Sequence, residues 1–219
     1  MRSHPVRPVL MRRARIRPAP MRRARMRPTP MRIVAGKFKG RRLDAPEGRD
    51  IRPTADRTRQ ALFDVLEHGH LTESGGSALV DAIVLDAFCG TGALGLEALS
   101  RGAAEASFMD INRVALDVAR ANAKALGVTA TFLLANAVNP PLARKAATLI
   151  FLDPPYDAAL GAPALAGLAA AGWIAPGALV SLEMSGLELS RFSAPQGFAA
   201  IGERRYGKAR ILLLRHASS

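Results

Sequence analysis

Apolar residues along this 219-residue chain gather in short runs, each stopped by a polar or turn-forming residue. Ile83 to Phe88, Ala106 to Met109, Thr131 to Leu134, Leu149 to Leu152 and Ala178 to Glu183 are such runs, largely without strict apolar–polar alternation. That pattern suits strands of a parallel sheet buried on both faces. Between the runs the spacing turns helical. Ala55 to His68 places Ala61, Leu62, Val65 and Leu66 on one face, a second helix opens after Gly95 with Leu96 and Leu99, and Arg113 to Leu126 carries Val114, Leu116, Val118 and Leu126. Asn112 is placed to cap that last helix and Gly127 to end it. A further helix spans Pro163 to Ala171. Phe198 to Tyr206 and Ala209 to Arg215 are strand-like and meet at Gly207-Lys208, a hairpin signature. At the other end, Gly36 and Gly40 predict a hairpin or bulges in a strand-rich lead from Met31 to Arg52. Strand–helix alternation predicts an α/β fold with a mostly parallel sheet.

Composition narrows the class. With 49% hydrophobic and 22% charged residues the chain is of ordinary globular make-up. No apolar run reaches the roughly 18 residues a membrane span needs. One cysteine, Cys89, rules out an intramolecular disulfide and reads as a small loop filler. His4, His68, His70 and His216 are scattered without ligand spacing, so no metal site is expected. The net charge of +13 is concentrated: residues 1–30 hold ten arginines and no acid, and removing them leaves +3 for residues 31–219. That arm repeats, MRRARIRPAP then MRRARMRPTP, with methionines in register at 11, 21 and 31. It reads either as a disordered electrostatic tether or as a repeat ahead of a true start at Met31, and the register of methionines favours the second. The expected division is an arm (1–30), a hairpin-and-helix extension (31–78) and a catalytic domain (79–217).

Chemistry collects at the ends of the strands. Gly90, Gly92 and Gly95 form G-x-G-x-x-G between a strand and a helix, a nucleotide-fold pattern shared with dinucleotide enzymes. Asp86 separates the two, because a carboxylate at the strand tip would repel a pyrophosphate on the helix N-terminus but suits a ligand carrying an ammonium and a sulfonium. Asp110 ends the next strand, where an acid accepts from ribose hydroxyls, and Asn136 follows the third, where it suits an adenine edge. The fourth delivers Asp153-Pro154-Pro155-Tyr156. Two prolines offer carbonyls and no N–H, so this loop is rich in acceptors and suits a planar substrate that donates from an exocyclic amino group. Read alone, it is also a proline-stopped strand with a capping acid. Arg32, Lys37, Lys39, Arg41 and Arg42 in the lead, with Arg52 and Arg57 beyond, are either phosphate contacts or a solvated edge.

These residues together resemble a known family. Asp86-Ala-Phe-Cys-Gly-Thr-Gly-Ala-Leu-Gly95-Leu-Glu97-Ala with Asp153-Pro-Pro-Tyr156 is similar to class I S-adenosylmethionine-dependent amino-methyltransferases. More narrowly, Arg32-Ile-Val-Ala-Gly36, Arg52-Pro-Thr-Ala-Asp-Arg57 and Gly92 to Gly102 resemble the RsmD family, which methylates the N2 amino group of a guanine in bacterial 16S ribosomal RNA. The likeness runs from Met31 to about His216; the family pattern often has Glu where Asp110 stands, and the arm lies outside it. It implies a Rossmann-like fold, a mostly parallel seven-stranded sheet closed by an antiparallel C-terminal hairpin strand. It further implies S-adenosyl-L-methionine held by Asp86, Phe88, Gly90, Gly92, Asp110, Ile111, Asn136 and Ala137, with Asp153, Pro154, Pro155 and Tyr156 as the catalytic loop. The RNA-contacting set expected is Arg32, Lys37, Lys39, Arg41, Arg42, Arg52 and Arg57. The implied partner is 16S rRNA in an assembled or assembling small ribosomal subunit, met by a cytoplasmic monomer. Two alternatives stay beside this reading: a DNA adenine or cytosine amino-methyltransferase, and a non-catalytic RNA-binding assembly factor.

Overall fold

A computed structural model describes residues 31–45, 53–72, 75–156 and 158–218. The apolar runs become strands β1 (Ile83–Ala87), β2 (Glu105–Asp110), β3 (Thr131–Leu134) and β4 (Ala147–Leu152), followed by β5 (Ile174–Ser185), β6 (Phe198–Tyr206) and β7 (Ala209–His216). Helices α1 (Pro53–His68), α2 (Ala93–Ser100), α3 (Arg113–Leu126), α4 (Gly161–Ala170) and α5 (Gly186–Arg191) lie between them. The seven strands form one sheet in the order β3-β2-β1-β4-β5-β7-β6. β1 to β5 are parallel and β7 is antiparallel to both β5 and β6. The winding reverses between β1 and β4, so the ligand crevice of such a sheet lies at their carboxyl ends. Among the described residues no helix is long and apolar enough to cross a membrane.

Both faces of the sheet are covered, as continuous apolar strands require. Along β4, Leu149 and Phe151 join the core under α1, α2 and α3, while Ile150 and Leu152 join the core under α4. Phe63 of α1 meets Phe151 with ring centroids 5.5 Å apart, which seats the first helix on the central strand.

Three differences from the sequence reading have local causes. β5 begins at Ile174, ahead of the apolar run Ala178 to Glu183, because Pro176-Gly177 forms a bulge inside the strand: Ala147 pairs with Ile174 but Leu149 with Leu179, and Gly177 takes φ 72. α4 begins at Gly161, which puts Pro163 in its first turn, where no N–H is needed. The lead is a single bridge, Arg32 with Arg42, around a 3-10 turn at Gly36–Phe38, instead of a run of strand pairs. Ile33, Gly40 and Leu43 donate within the lead, to Arg41, Ile33 and Met31, but Val34 and Ala35 donate to Glu97 at 2.7 and 2.9 Å and Phe38 donates to Ser100 Oγ at 2.9 Å. The lead is thus clamped onto α2. Gly36 is required there: at φ +76 its backbone runs so close that a Cβ would lie 1.9 Å from the Ser100 carbonyl oxygen.

Candidate active site

At the crevice the tips of β1, β2 and β4 carry acids, Asp86, Asp110 and Asp153, while β3 is followed by Asn136. Asp86, on β1, is 1% exposed and accepts from the Gly95 N–H at 2.8 Å. It therefore caps the first turn of α2, where Gly92 offers no side chain to do so. Burial pushes the Asp86 carboxyl well above the usual carboxylate range; the Gly95 N–H opposes this, and the Asp153 and Asp110 charges add to it. Asp110, on β2, spans two elements, accepting from Gly90 N at 2.9 Å and from Asn112 N at 2.8 Å. Neither Asp86 nor Asp110 has a salt bridge to a described residue.

The loop after β1 is tightly shaped. Phe88 sits at φ 65, a conformation that costs a non-glycine residue about 1–2 kcal/mol and that is typical of functional loops. Gly95 is needed for packing, since a Cβ on it would lie 2.5 Å from Phe108 Cε1 and 3.2 Å from Asp86 Cβ. Gly95→Ala is accordingly expected to push α2 off β2, lowering stability by about 1–3 kcal/mol, readable as a fall in thermal midpoint. Cys89 is buried, and burial together with the Asp86 and Asp110 charges drives its thiol pKa upward, which suits a filler and not a nucleophile.

Further along the edge, Ile111 is 69% exposed beside Asp110. Asn136 is exposed, its Oδ1 accepts from Val138 N at 2.9 Å in a local turn, and Ala137 beside it is buried. At β4 the chain presents exposed Asp153 and Pro155 around buried Pro154, and Tyr156 is 52% exposed. The Tyr156 hydroxyl donates to Glu183 Oε1 at 2.5 Å, and its pKa is raised by burial first and then by Glu183, so it stays a protonated donor. β1 pairs with both β2 and β4, which sets the tips carrying Asp86, Asp110 and Asp153 on three neighbouring strands.

The basic residues of the lead differ in how they are held. Lys37, Lys39, Arg42 and Arg57 are exposed, but Arg32 donates to the Gly40 carbonyl at 2.8 Å and Arg41 to the Ala125 carbonyl at 2.6 Å. Phe38 is half-buried against the core, with Lys37 Nζ 5.4 Å from its ring centroid. Arg52 lies outside the described residues. The turn bearing Lys37 docks at Ser100, the far end of an eight-residue helix, about 12 Å of rise from the glycine loop. Sequence reading passed over two features. Glu183 stands at the tip of β5, and its signal was an acid closing an apolar run. Arg204, Arg205 and Lys208 flank the β6–β7 turn, which the Ser185–Ala209 pairing brings to the same edge as the β4 loop; their signal was a basic run around Gly207.

Strand order, glycine loop and a row of acids at the tips define a class I methyltransferase. Comparison with known proteins agrees. The model of the family described as conserved hypothetical protein 95 matches residues 31–215. Ribosomal RNA small subunit methyltransferase D of Escherichia coli is 36% identical over 159 residues, covering 69% of this chain and 73% of that protein. Its namesake in Haemophilus influenzae is 30% identical over 160 residues, covering 69% and 77%. The solved structure of the Escherichia coli protein yhhF superposes with a TM-score of 0.72 at 28% identity, covering 87% of this chain and all of that one. The chain belongs to the conserved hypothetical 95 family, that of the RsmD methyltransferases.

Proposed function

We propose that this enzyme moves the methyl group of S-adenosyl-L-methionine to the exocyclic N2 of a guanine in 16S rRNA, within an assembled or assembling small ribosomal subunit. The observation that carries the reading is the row of neighbouring strand tips: acids at Asp86 and Asp110 lead directly to the acceptor-rich Asp153-Pro154-Pro155-Tyr156 loop. Two relatives named for the ribosomal RNA small subunit support the choice of RNA.

The donor set fits a cationic cofactor. Burial first, and then the charges of Asp153 and Asp110, raise the pKa of buried Asp86, and positive charge beside it offsets both; exposed Ile111 beside Asp110 offers an apolar surface to a flat ring. Asp110 is assigned the ribose hydroxyls, Asn136 and Ala137 the adenine edge, and Phe88, Gly90 and Gly92 the close backbone approach. S-Adenosyl-L-methionine supplies an activated methyl on its sulfonium, so the protein has mainly to align the nucleophile. Asp153 and the Pro154 carbonyl accept the two hydrogens of the amino group, which draws its lone pair out of the ring and stabilises the positive charge that develops there. Tyr156 stacks on the unstacked base, worth on the order of 1–3 kcal/mol. With its hydroxyl held by Glu183 it is no base; the methylated nitrogen loses its proton afterwards. Residues 31–78 and the β6–β7 turn form the RNA-facing surface, residues 79–217 are the catalytic domain, and the enzyme acts as a cytoplasmic monomer.

Asp86 gives this reading a pH signature. A carboxyl whose folded pKa is raised lends stability that is complete below the ordinary aspartate range and is lost as pH rises through the raised value. A cationic ligand favours the ionised form, so its binding releases a proton in that window. Affinity for S-adenosyl-L-methionine is expected to grow as pH rises through it and then level off. Calorimetry in buffers of different ionisation enthalpy reads the released proton, and Asp86→Asn flattens the slope. The function itself is tested by tritiated-methyl transfer to protein-free 16S rRNA and to small subunits from a strain lacking the enzyme. Transfer to the subunits is expected; none to either RNA form overturns the reading.

A further inference from the structure

The strand beside β4 carries an acid that the catalytic reading uses only as a rest for Tyr156. Leu182 of β5 pairs in parallel register with Leu152 of β4, so Glu183 stands one residue past that pair, as Asp153 does on its own strand. Side chains alternate along β5. Leu182 and Met184 are buried and line an apolar cavity of about 360 Å³ with Pro154 and Phe192. Glu183, between them, is half-buried on the opposite face and reaches the Tyr156 hydroxyl with Oε1. Its Oε2 is engaged by no described residue. Glu188, the other acid close to Tyr156, is committed to the Ser185 N–H in a capping box. A carboxylate has about four acceptor positions, so one phenol leaves Glu183 capacity for a donor on the base that Tyr156 holds.

We propose that Glu183 is a specificity-determining residue, its carboxylate accepting the ring N1–H of the target guanine while Asp153 and the Pro154 carbonyl hold the N2 amino group. The proposal rests on the guanine-N2 reading above. Asp153 with Pro154 recognises an amino group and is indifferent to the base that carries it. Beside that amino group guanine presents a second donor, N1–H. Adenine and cytosine present an acceptor nitrogen at the corresponding place, which a carboxylate repels. Neighbouring strands stand about 4.8 Å apart, the scale on which two tip carboxylates can serve two adjacent donors on one base edge. The phenol takes one acceptor position of Glu183 and leaves the others for the base.

The test uses the full chain and small subunits reconstituted with 16S rRNA carrying either guanine or 2-aminopurine at the methylated position. 2-Aminopurine keeps the N2 amino group and lacks N1–H. Wild-type enzyme is expected to prefer guanine by about 10- to 100-fold in kcat/KM, the loss that follows when a charged acceptor has no donor. Glu183→Ala is expected to bring the ratio close to one, and the near-isosteric Glu183→Gln to lower it. Tyr156→Phe slows both substrates and keeps the wild-type ratio, which separates base choice from support of the ring. The inference is overturned if both Glu183 variants keep the wild-type ratio while slowing the two substrates equally. Wild-type enzyme that methylates no guanine overturns the substrate reading, and this inference with it.

Discussion

Asp153→Ala is expected to lower kcat for methyl transfer by about 10²–10³ while leaving cofactor affinity near its wild-type value. The split follows from where the residue sits. Asp153 is exposed at the tip of β4, beyond the strands whose tips carry Asp86 and Asp110, so its loss leaves the bonds from Gly95 to Asp86 and from Gly90 to Asp110 in place. What disappears is one acceptor for the amino hydrogens, and with it alignment and stabilisation of the charge that develops on nitrogen. Alanine adds no bulk and leaves Pro154 and Tyr156. Stopped-flow or tritium assays for kcat, beside calorimetry for the cofactor, read both halves. Near-wild-type kcat contradicts the assignment; a loss confined to cofactor affinity moves Asp153 to the binding side.

The second large effect is on stability, at a residue far from the chemistry. Glu97 is fully buried in α2 and accepts from Val34 N and Ala35 N. It also pairs with Arg101 at 2.9 Å and lies 4.0 Å from Arg59 of α1. Arg101 is itself buried, reaches Glu67 at 2.7 Å and lies over the Phe63 ring at 5.1 Å. Glu97→Ala deprives two backbone N–H groups of their acceptor and removes the one fully buried carboxylate of the set, leaving Arg101 only the partly exposed Glu67 and Asp64. Breaking one partner of such a buried set costs about 3–5 kcal/mol. That is a large share of the 5–15 kcal/mol that holds a typical domain. A thermal midpoint many degrees lower is expected, with faster proteolysis in residues 31–45 ahead of the core. Glu97→Gln, which keeps one acceptor, falls between. An unchanged midpoint and unchanged cleavage contradict the clamp.

This clamp also marks the limit of what the chain could tell in advance. β3, α3 and β6 lie where hydrophobic spacing put them, because strand and helix periods are local properties and Asn112, Gly127 and Gly207 punctuate them locally. The acid tips were legible for the same reason: each ends an apolar run. Glu97 was not, since its partners Val34 and Ala35 lie 63 and 62 residues away and no periodicity links them. The lead looked like a hairpin because its glycines are turn residues, and it does close on itself, yet the Val34, Ala35 and Phe38 N–H groups are claimed by α2. Pro176-Gly177 looked like a strand boundary and is a bulge inside one, a choice made by pairing with β4. Glu183 needed the sheet order: β5 becomes the neighbour of β4 only once the fold is known, and only then do two acids share an edge.

A β4 tip that presents an amino group of guanine to a methyl donor bound over β1 and β2 makes one product, N2-methylguanosine. The most direct test is nucleoside mass spectrometry of 16S rRNA from small subunits of a deletion strain, after incubation with the purified full chain and S-adenosyl-L-methionine. One N2-methylguanosine per subunit, lost with Asp153→Ala, is the predicted result. A methyl group on adenine or cytosine, or none on the RNA while the protein binds the cofactor, contradicts the account.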